Sequence, residues 1–513
     1  MGWRIRRATV VTLAVAVIAA GCSSDDGPDP RAAPSPTPST AAVELDPLSA
    51  SRVGRPRIVD GEGRTVTLRG ANLNALGDYY QDDPDLPPVE PPTGRDWDAM
   101  AVHGFSVVRL IVHWSKLEPG RGELDEAYIA EIRGAVRAAG SRGIYTVIDF
   151  HQDAWGKAIA TPPGVTCGPG TEPAIGWDGA PDWATITDGA DTCRPTGYRE
   201  GAPAVRAAFT NFYRNTDGIR DAYVATVAKV AGEFADEPMM AGYDLFNEPN
   251  KVLPDEESSA RYTDLLGDLI TAIRQAEDDA GGFAHLLFVE PIVFYPLPGT
   301  LPTDDLVDDP DIVFAPHNYA EVIVDILTVE QTFEISAGTA TERGWPLWIG
   351  EYGVFDQGSE SIDVLTRFAA AEDAHLAGSA EWQWRQRCGD PHSIATPGNV
   401  STGRQVHLNL VDCPADTDAG PNDDFLRIVG RAYPLRAPGE LTLVRSDPAT
   451  GDLTIEGRAG DDRSNVLVVW FPDDRPDPVL EGLGKATFTK VPGGWYLTAA
   501  PTAAAYRLVA TGS

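Results

Sequence analysis

From Thr65 to Arg385 the chain repeats one unit, a short apolar run rich in β-branched residues followed by a longer stretch with apolar residues three and four apart. The short runs predict strands at Thr65–Asn72, Ser106–Trp114, Ile144–His151, Ala241–Glu248, His285–Pro291, Ile312–Asn318, Pro346–Tyr352 and Ser379–Trp384. The longer stretches predict helices at Asp125–Arg142, Ala204–Phe234 with a break near Asn215–Gly218, Glu256–Ala280 and Ser361–Ala377. Strands that alternate with helices pair in parallel. Eight such units predict an α/β fold, the (β/α)8 TIM barrel, in which the C-terminal ends of the strands carry the chemistry.

Past Leu435 the period changes to two. Short alternating runs at Leu441–Ser446, Asp452–Arg458, Asn465–Phe471, Ala486–Lys490, Gly494–Ala499 and Ala505–Ala510 are separated by Gly, Pro and Asp turns. They predict a C-terminal antiparallel β-sandwich over 437–513, read as a docked structural appendage, with carbohydrate binding as the second reading. The barrel is expected over 51–436. At the other end, Arg4, Arg6 and Arg7 precede an apolar stretch, Ala8 to Ala20, too short to cross a bilayer as a helix. This is the pattern of a signal peptide, residues 1–21. Ala19-Ala20-Gly21-Cys22 resembles a bacterial lipoprotein cleavage box, which implies lipidation of Cys22. Residues 22–50, rich in Ser, Asp, Pro, Ala and Thr, read as a disordered tether. The expected location is extracellular, either secreted or lipid-anchored to the bacterial cell membrane, with membrane attachment through the N-terminal lipid alone.

Composition narrows the function classes. The 513 residues carry 41 Lys plus Arg against 76 Asp plus Glu, a formal net charge of −35. Such a surface repels phosphate backbones and anionic headgroups, so nucleic acid is not an expected partner. With 8 His, 5 Cys and no CxxC pair, a Cys-rich metal site is disfavoured. Apart from Cys22, the cysteines are Cys167, Cys193, Cys388 and Cys413, an even number in a chain that reads as exported. Four cysteines permit three pairings. The local ones, Cys167–Cys193 and Cys388–Cys413, would each staple a long loop rich in Gly, Pro and Asp.

Two acids end predicted strands: Glu248 in Tyr243-Asp244-Leu245-Phe246-Asn247-Glu248-Pro249 closes the fourth, and Glu351 in Leu347-Trp348-Ile349-Gly350-Glu351-Tyr352-Gly353 closes the seventh. An acid at the end of an apolar strand costs desolvation energy unless it is paired or used. Asn247-Glu248-Pro249 together with Glu351 resembles the retaining β-glycosidases of glycoside hydrolase family five. Arg109, His151, His317-Asn318-Tyr319 and Trp382 stand where that family keeps the same residue types. A narrower resemblance is to the endoglycoceramidases, carried by Asp149-Phe150-His151-Gln152-Asp153, Gly179-Ala180-Pro181-Asp182-Trp183-Ala184 and the strand-four motif. The chain departs from those enzymes in three places: the loop from Asn74 to Pro92 lacks their sugar-contacting lysine, Ile292 stands in place of a glutamine, and the strand-eight continuation Gln383-Trp384-Arg385-Gln386-Arg387 differs from the bacterial pattern.

The resemblance implies that Glu351 is the nucleophile and Glu248 the acid/base of a double displacement, with carboxyls about 5 to 5.5 Å apart. Repulsion at that distance is expected to keep a proton on Glu248 while Glu351 stays ionised. Arg109 beneath Glu351 would favour the charged nucleophile, Asn247 would bind the sugar 2-hydroxyl and Tyr319 would donate to Glu351. His151, Asp153 and His317 are expected to orient the glycan, with a helix cap as the second reading of Asp153, and Trp382 to offer a ring face to a pyranose. The chemistry needs no cofactor and no metal. The expected function is hydrolysis of the β-bond between a glycan and a lipid aglycone by a monomer, with Ala158 to Ala202 and Ile292 to Tyr295 as candidate walls of an acyl cleft. An endo-β-glucanase or mannanase is the same-class alternative. A surface glycan-binding protein that has lost turnover is the different-class one.

Overall fold

A computed structural model describes residues 45–81, 83–323, 326–394, 396–460 and 465–512. The expected signal peptide, Cys22 and most of the expected tether lie outside the described residues. The eight apolar runs form the parallel strands β1 Arg69–Leu73, β2 Val107–His113, β3 Tyr145–His151, β4 Met240–Asp244, β5 Leu286–Val289, β6 Ile312–Phe314, β7 Trp348–Tyr352 and β8 Gly378–Glu381. They are ordered β6-β5-β4-β3-β2-β1-β8-β7. Parallel bridges between Phe314 and Leu347 and between His317 and Glu351 join the two outer strands, so the sheet closes. Val107, Val147, Phe288, Val313 and Ala380 belong to one buried cluster from these strands, the packed interior expected of such a barrel.

The predicted helices are present. Glu126–Gly140 begins at Asp125, whose side chain accepts from the N–H groups of Ala127 and Tyr128. The expected break in the next helical stretch separates Pro203–Tyr213 from Ile219–Glu233, where Asn215, Asp217 and Gly218 take positive φ of 57°, 52° and 70°. Asp255–Asp279 and Ser359–His375 follow. Apolar spacing does not reveal Gly94–Val102 or Val329–Arg343. The second is rich in small and polar residues, and its signal is the reciprocal cap between Thr328 and Gln331.

Two expectations shift. The first predicted strand divides at Thr67-Leu68: Thr65–Val66 pairs with Arg436 and Ala437 in an antiparallel sheet, and only Arg69–Leu73 enters the barrel. Leu68 marks the crossover, its carbonyl accepting from the Ser379 N–H at 2.8 Å and the Trp348 indole at 3.1 Å. Part of the expected tether, Leu48–Ser51, is a strand paired with Arg57–Asp60. These N-terminal strands extend a seven-stranded antiparallel sheet that also holds Tyr433–Ala437, Leu467–Pro472, Thr487–Val491 and Gly494–Ala499. The second sheet holds Glu440–Ser446, Leu453–Arg458, Val479–Glu481 and Ala505–Ala510.

Buried charge and a close approach tie the sheets to the barrel. Arg69 and Arg431 both meet Glu372 and Asp373 at 2.5 to 3.1 Å. Gly104, at φ +72°, leaves room for Trp470, whose ring would lie 2.3 Å from a β-carbon placed there. No helix among the described residues is long and apolar enough to cross a membrane.

Candidate active site

The barrel gathers its buried charge at the C-terminal ends of its strands. Arg109 on β2 is fully buried and serves six side chains. Its Nη1 donates to Glu351 Oε1 at 2.7 Å and to Asn72 Oδ1 at 3.0 Å. Nη2 donates to Asn247 and to Glu290, both at 2.9 Å, and Nε donates to Asp244 at 2.9 Å. Asp149 adds a contact at 3.0 Å. A buried guanidinium is tolerated only where such acceptors surround it, so the chain has placed an acid on each of several neighbouring strands to hold it.

Glu248 and Glu351 face each other above this layer. An oxygen of each, with a nitrogen of His317, lie within 4.8 Å of one another. His317 Nδ1 sits between them, 2.9 Å from Glu248 Oε1 and 3.5 Å from Glu351 Oε2, while its Nε2 is 3.3 Å from Glu290. The Tyr319 hydroxyl donates to Glu351 Oε2 at 3.0 Å. After Asp244 the chain leaves the ladder and bends inward, and Glu248 takes φ +39°, an uncommon conformation for a side-chain-bearing residue. Its backbone is held from both sides: the N–H donates to Glu290 Oε2 at 2.9 Å, and the carbonyl accepts from Gln152 at 3.0 Å.

A second group of charges adjoins the first. His151 Nδ1 pairs with Asp149 at 2.7 Å, its Nε2 lies 3.6 Å from Asp153, and its ring stacks on Trp382 with centroids 5.5 Å apart. Asp153 is also met by His392 Nε2 at 2.7 Å and Arg199 Nη2 at 2.5 Å. Asp390, itself bound by Asn74 at 2.6 Å, holds the other nitrogen of His392 at 2.7 Å. The structure therefore brings Arg109, His151, Asp153, Asn247, Glu248, His317, Tyr319, Glu351 and Trp382 to one end of the barrel.

Three comparisons with known proteins bear on this arrangement. The family described as cellulase (glycosyl hydrolase family 5) matches residues 59–387. The chain belongs to glycosyl hydrolase family 5. It is similar to endoglycoceramidase I of Rhodococcus hoagii, 29% identical over 296 residues that cover 53% of each chain. The endoglycoceramidase of Cyanea nozakii is 28% identical over 219 residues, 38% of this chain and 40% of that protein. The chain thus spans about half the length of the curated relatives it matches, or less. Among solved structures, a crystal structure of endogalactoceramidase has a TM-score of 0.84 and 40% identity, and covers 91% of this chain and 100% of that one. Endo-glycoceramidase II from Rhodococcus sp., in its lactosyl-enzyme intermediate, shares the fold with a TM-score of 0.69 at 22% identity, covering 89% of this chain and 99% of that one.

Within this family 5 site the proton order differs from the one expected. Burial raises the Glu351 carboxyl above its ordinary range, although the charges of His317 and Arg109 oppose it. Burial also acts to raise Glu248, but the hydrogen bond and charge of His317, helped by Arg199, pull its carboxyl below the ordinary range. The reversal follows from placing two cations against Glu248. His317 is held as the imidazolium: burial opposes its charge, yet Glu290 and Glu351 raise its pKa well above that of a free histidine.

Two triads, Glu248–His317–Glu351 and His151–Asp153–Asp178, are spaced closely enough to meet one cation. Basic side chains already face their carboxylates. Arg109 holds Glu351, His317 and Arg199 hold Glu248, Arg199 and His392 hold Asp153, and His113 lies 2.8 Å from Asp178, so a divalent ion would have to displace or repel those groups.

Several participants escape the sequence reading. Glu290 ends a run of buried apolar residues at β5, so the argument that selects Glu248 and Glu351 would have selected it too. Arg199 and His392 lie in long loops with no periodic signal. The loops that carry or flank them are stapled as expected, Cys167 to Cys193 and Cys388 to Cys413.

Proposed function

We infer that the chain is a retaining β-glycosidase that releases an intact glycan from a lipid aglycone, as its endoglycoceramidase and endogalactoceramidase relatives are named for doing. The observation that carries this reading is the Glu248–Glu351 pair, one oxygen of each lying within 4.8 Å of the other. Retaining enzymes hold their carboxyls about 5 to 5.5 Å apart and inverting ones leave room for water at about 6.5 Å or more, and an approach this close supports direct attack.

In this reading Glu351 attacks the anomeric carbon while Glu248 delivers a proton to the departing oxygen. Glu248 then takes a proton from the water that hydrolyses the glycosyl-enzyme. Arg109 and Tyr319 aim the two oxygens of Glu351 and hold their charge. Asn247, fixed by Arg109 and by the Gln152 carbonyl at 3.1 Å, is positioned for the sugar 2-hydroxyl. His151, Asp153 and Trp382 form the polar and aromatic floor on which the remaining hydroxyls are sorted.

The aglycone side is assigned from the loops after β5, β6 and β7. Phe294, Leu297, Ile323 and Phe355 there are 45% to 63% exposed. Phe355 stacks on Tyr319 with centroids 6.1 Å apart, and Phe294 lies 6.0 Å from Tyr198, next to Arg199, so both adjoin the charged pocket. Apolar side chains gathered at a pocket mouth suit an acyl or sphingoid chain better than a polysaccharide, which calls for polar partners on both sides. Export with lipid attachment at Cys22 belongs to the same reading, supported by the leader pattern and the two disulfides.

The test offers purified protein galactosylceramide, lactosylceramide, a β-glucan and a β-mannan. Release of ceramide with intact sugar supports the reading. Release of oligosaccharides from the polymers, with the glycolipids untouched, would replace it by the glucanase or mannanase alternative.

A further inference from the structure

Arg199 reaches the pocket from a long connecting loop. It begins the short 3-10 turn Arg199–Gly201, just before the helix Pro203–Tyr213. The loop is fixed by the Cys167–Cys193 bridge and by the two-residue ladder between Thr171–Glu172 and Arg194–Pro195. The guanidinium lies over the Trp177 ring at 4.5 Å, and its Nε donates to Glu200. Nη2 donates to Asp153 Oδ1 at 2.5 Å and lies 3.6 Å from Glu248 Oε2.

Both oxygens of Glu248 consequently face a cation, Oε1 toward His317 and Oε2 toward Arg199. A proton on Glu248 would forfeit the attraction of both cations, so each contact favours the carboxylate over the acid that the glycosidic oxygen needs. One contact has to lengthen when the substrate's oxygen takes its place. The His317 contact is the shorter, and that ring is also held by Glu290 and Glu351. The Arg199 contact is the longer, and its guanidinium keeps Asp153, Glu200 and the Trp177 face if it lets Glu248 go. At 25% side-chain exposure, Glu248 is also the more open of the two acids; Glu351 is at 6%.

We propose that Arg199 is a positioning residue that holds Glu248 as the carboxylate in the free enzyme and yields Glu248 Oε2 to the glycosidic oxygen of the substrate, so that occupation of the pocket loads the acid with its proton. The proton comes from solvent and ends on Glu248 Oε2, with no change in oxidation state. Arg199 keeps its bond to Asp153 throughout, and a sugar hydroxyl shares that carboxylate. The proposal rests on the assignment of Glu248 as acid/base. The charged and titratable groups facing Glu248 are Asp153 from the end of β3, Arg199 and Glu200 from the loop, Glu290 from β5, His317 and Tyr319 from the end of β6, and Glu351 from β7.

The experiment is a set of pH–rate profiles for cleavage of a galactosylceramide bearing a short fluorescent acyl chain, by wild type and by Arg199→Gln, Arg199→Lys and Glu248→Gln. With Glu248 titrating below Glu351 in the free enzyme, the acidic limb of kcat/KM reports Glu248 there, and the alkaline limb of kcat reports it in the complex that has loaded its proton. In Arg199→Gln the acidic kcat/KM limb should rise by about one pH unit and the alkaline kcat limb should stay in place, because Arg199 has already released Glu248 in the complex, while Arg199→Lys stays near wild type. A residue needed only for folding would change rates in both variants without moving either limb. An unmoved acidic kcat/KM limb in Arg199→Gln, or an alkaline kcat limb that moves as far, overturns the proposal. Persistence of the wild-type alkaline limb in Glu248→Gln overturns the acid/base assignment itself, a separate result.

Discussion

Tyr319 and Glu351 are joined by a 3.0 Å hydrogen bond in which the phenol donates to Oε2, the carboxylate oxygen opposite the one that Arg109 grips at 2.7 Å. The carboxylate is thus held at both oxygens, which fixes the direction in which its free lone pairs point. Loss of one bond to a charged acceptor is worth about 1.5 to 3 kcal/mol. Tyr319→Phe should therefore lower kcat by about tenfold to a hundredfold with a smaller change in KM, as measured by steady-state kinetics on a glycosylceramide.

Removing Glu248 should separate substrates by their leaving groups. Glu248→Gln is expected to lose about 10² to 10⁴ in kcat/KM on a ceramide glycoside, where the departing alkoxide needs a proton. A dinitrophenyl glycoside, whose leaving group needs none, should lose far less in its glycosylation step. Azide added to Glu248→Ala should give the β-glycosyl azide, and added to Glu351→Ala the α-glycosyl azide, distinguished by NMR. An equal loss on both substrates would remove Glu248 from the acid role.

His392 gives a pH signature of its own. Burial disfavours its charge, but Asp390 and Asp153 outweigh that and push its pKa up to about 10, from 6.5 in a free histidine. A group whose pKa is raised on folding contributes most below its unfolded value. The stability difference between wild type and His392→Gln should thus be full below pH 6.5 and shrink as pH rises through about 10. Denaturant unfolding at pH 6, 8 and 10 measures it, and a difference that grows with pH would contradict the charge assignment.

Arg109 should matter to the fold as well as to the site. Arg109→Leu leaves Asp149, Asp244, Glu290 and Glu351 without their common cation in a fully buried layer. Breaking buried pairs of this kind costs about 3 to 5 kcal/mol, and thermal unfolding should register the loss even where activity is already zero.

The barrel was legible because its signal is local. Each of the strands β2 to β8 is a buried run that any reading by period would find, and Glu248 and Glu351 stand out as acids ending such runs. What was not legible depends on pairing across the chain. Thr65–Val66 and Leu48–Ser51 belong to a sheet built mostly from residues beyond Tyr433, so nothing near them in sequence announces their partners. His317 reads from sequence as a group that orients sugar, whereas it bridges both acids, because β6 and β7 meet at the seam of the barrel. The expected proton on Glu248 followed from the repulsion of two acids alone. His317 and Arg199, arriving from β6 and from a disulfide-stapled loop, reverse that preference.

The central claim is that Glu351 forms the covalent bond to sugar. Incubating the protein with a 2-deoxy-2-fluoro-β-galactosyl fluoride and mapping the adduct by peptic digestion and mass spectrometry tests it most directly. The account predicts stoichiometric labelling on the peptide that contains Glu351, with none in Glu351→Gln. A label on Glu248, or an active enzyme whose product has the inverted anomeric configuration, would contradict it.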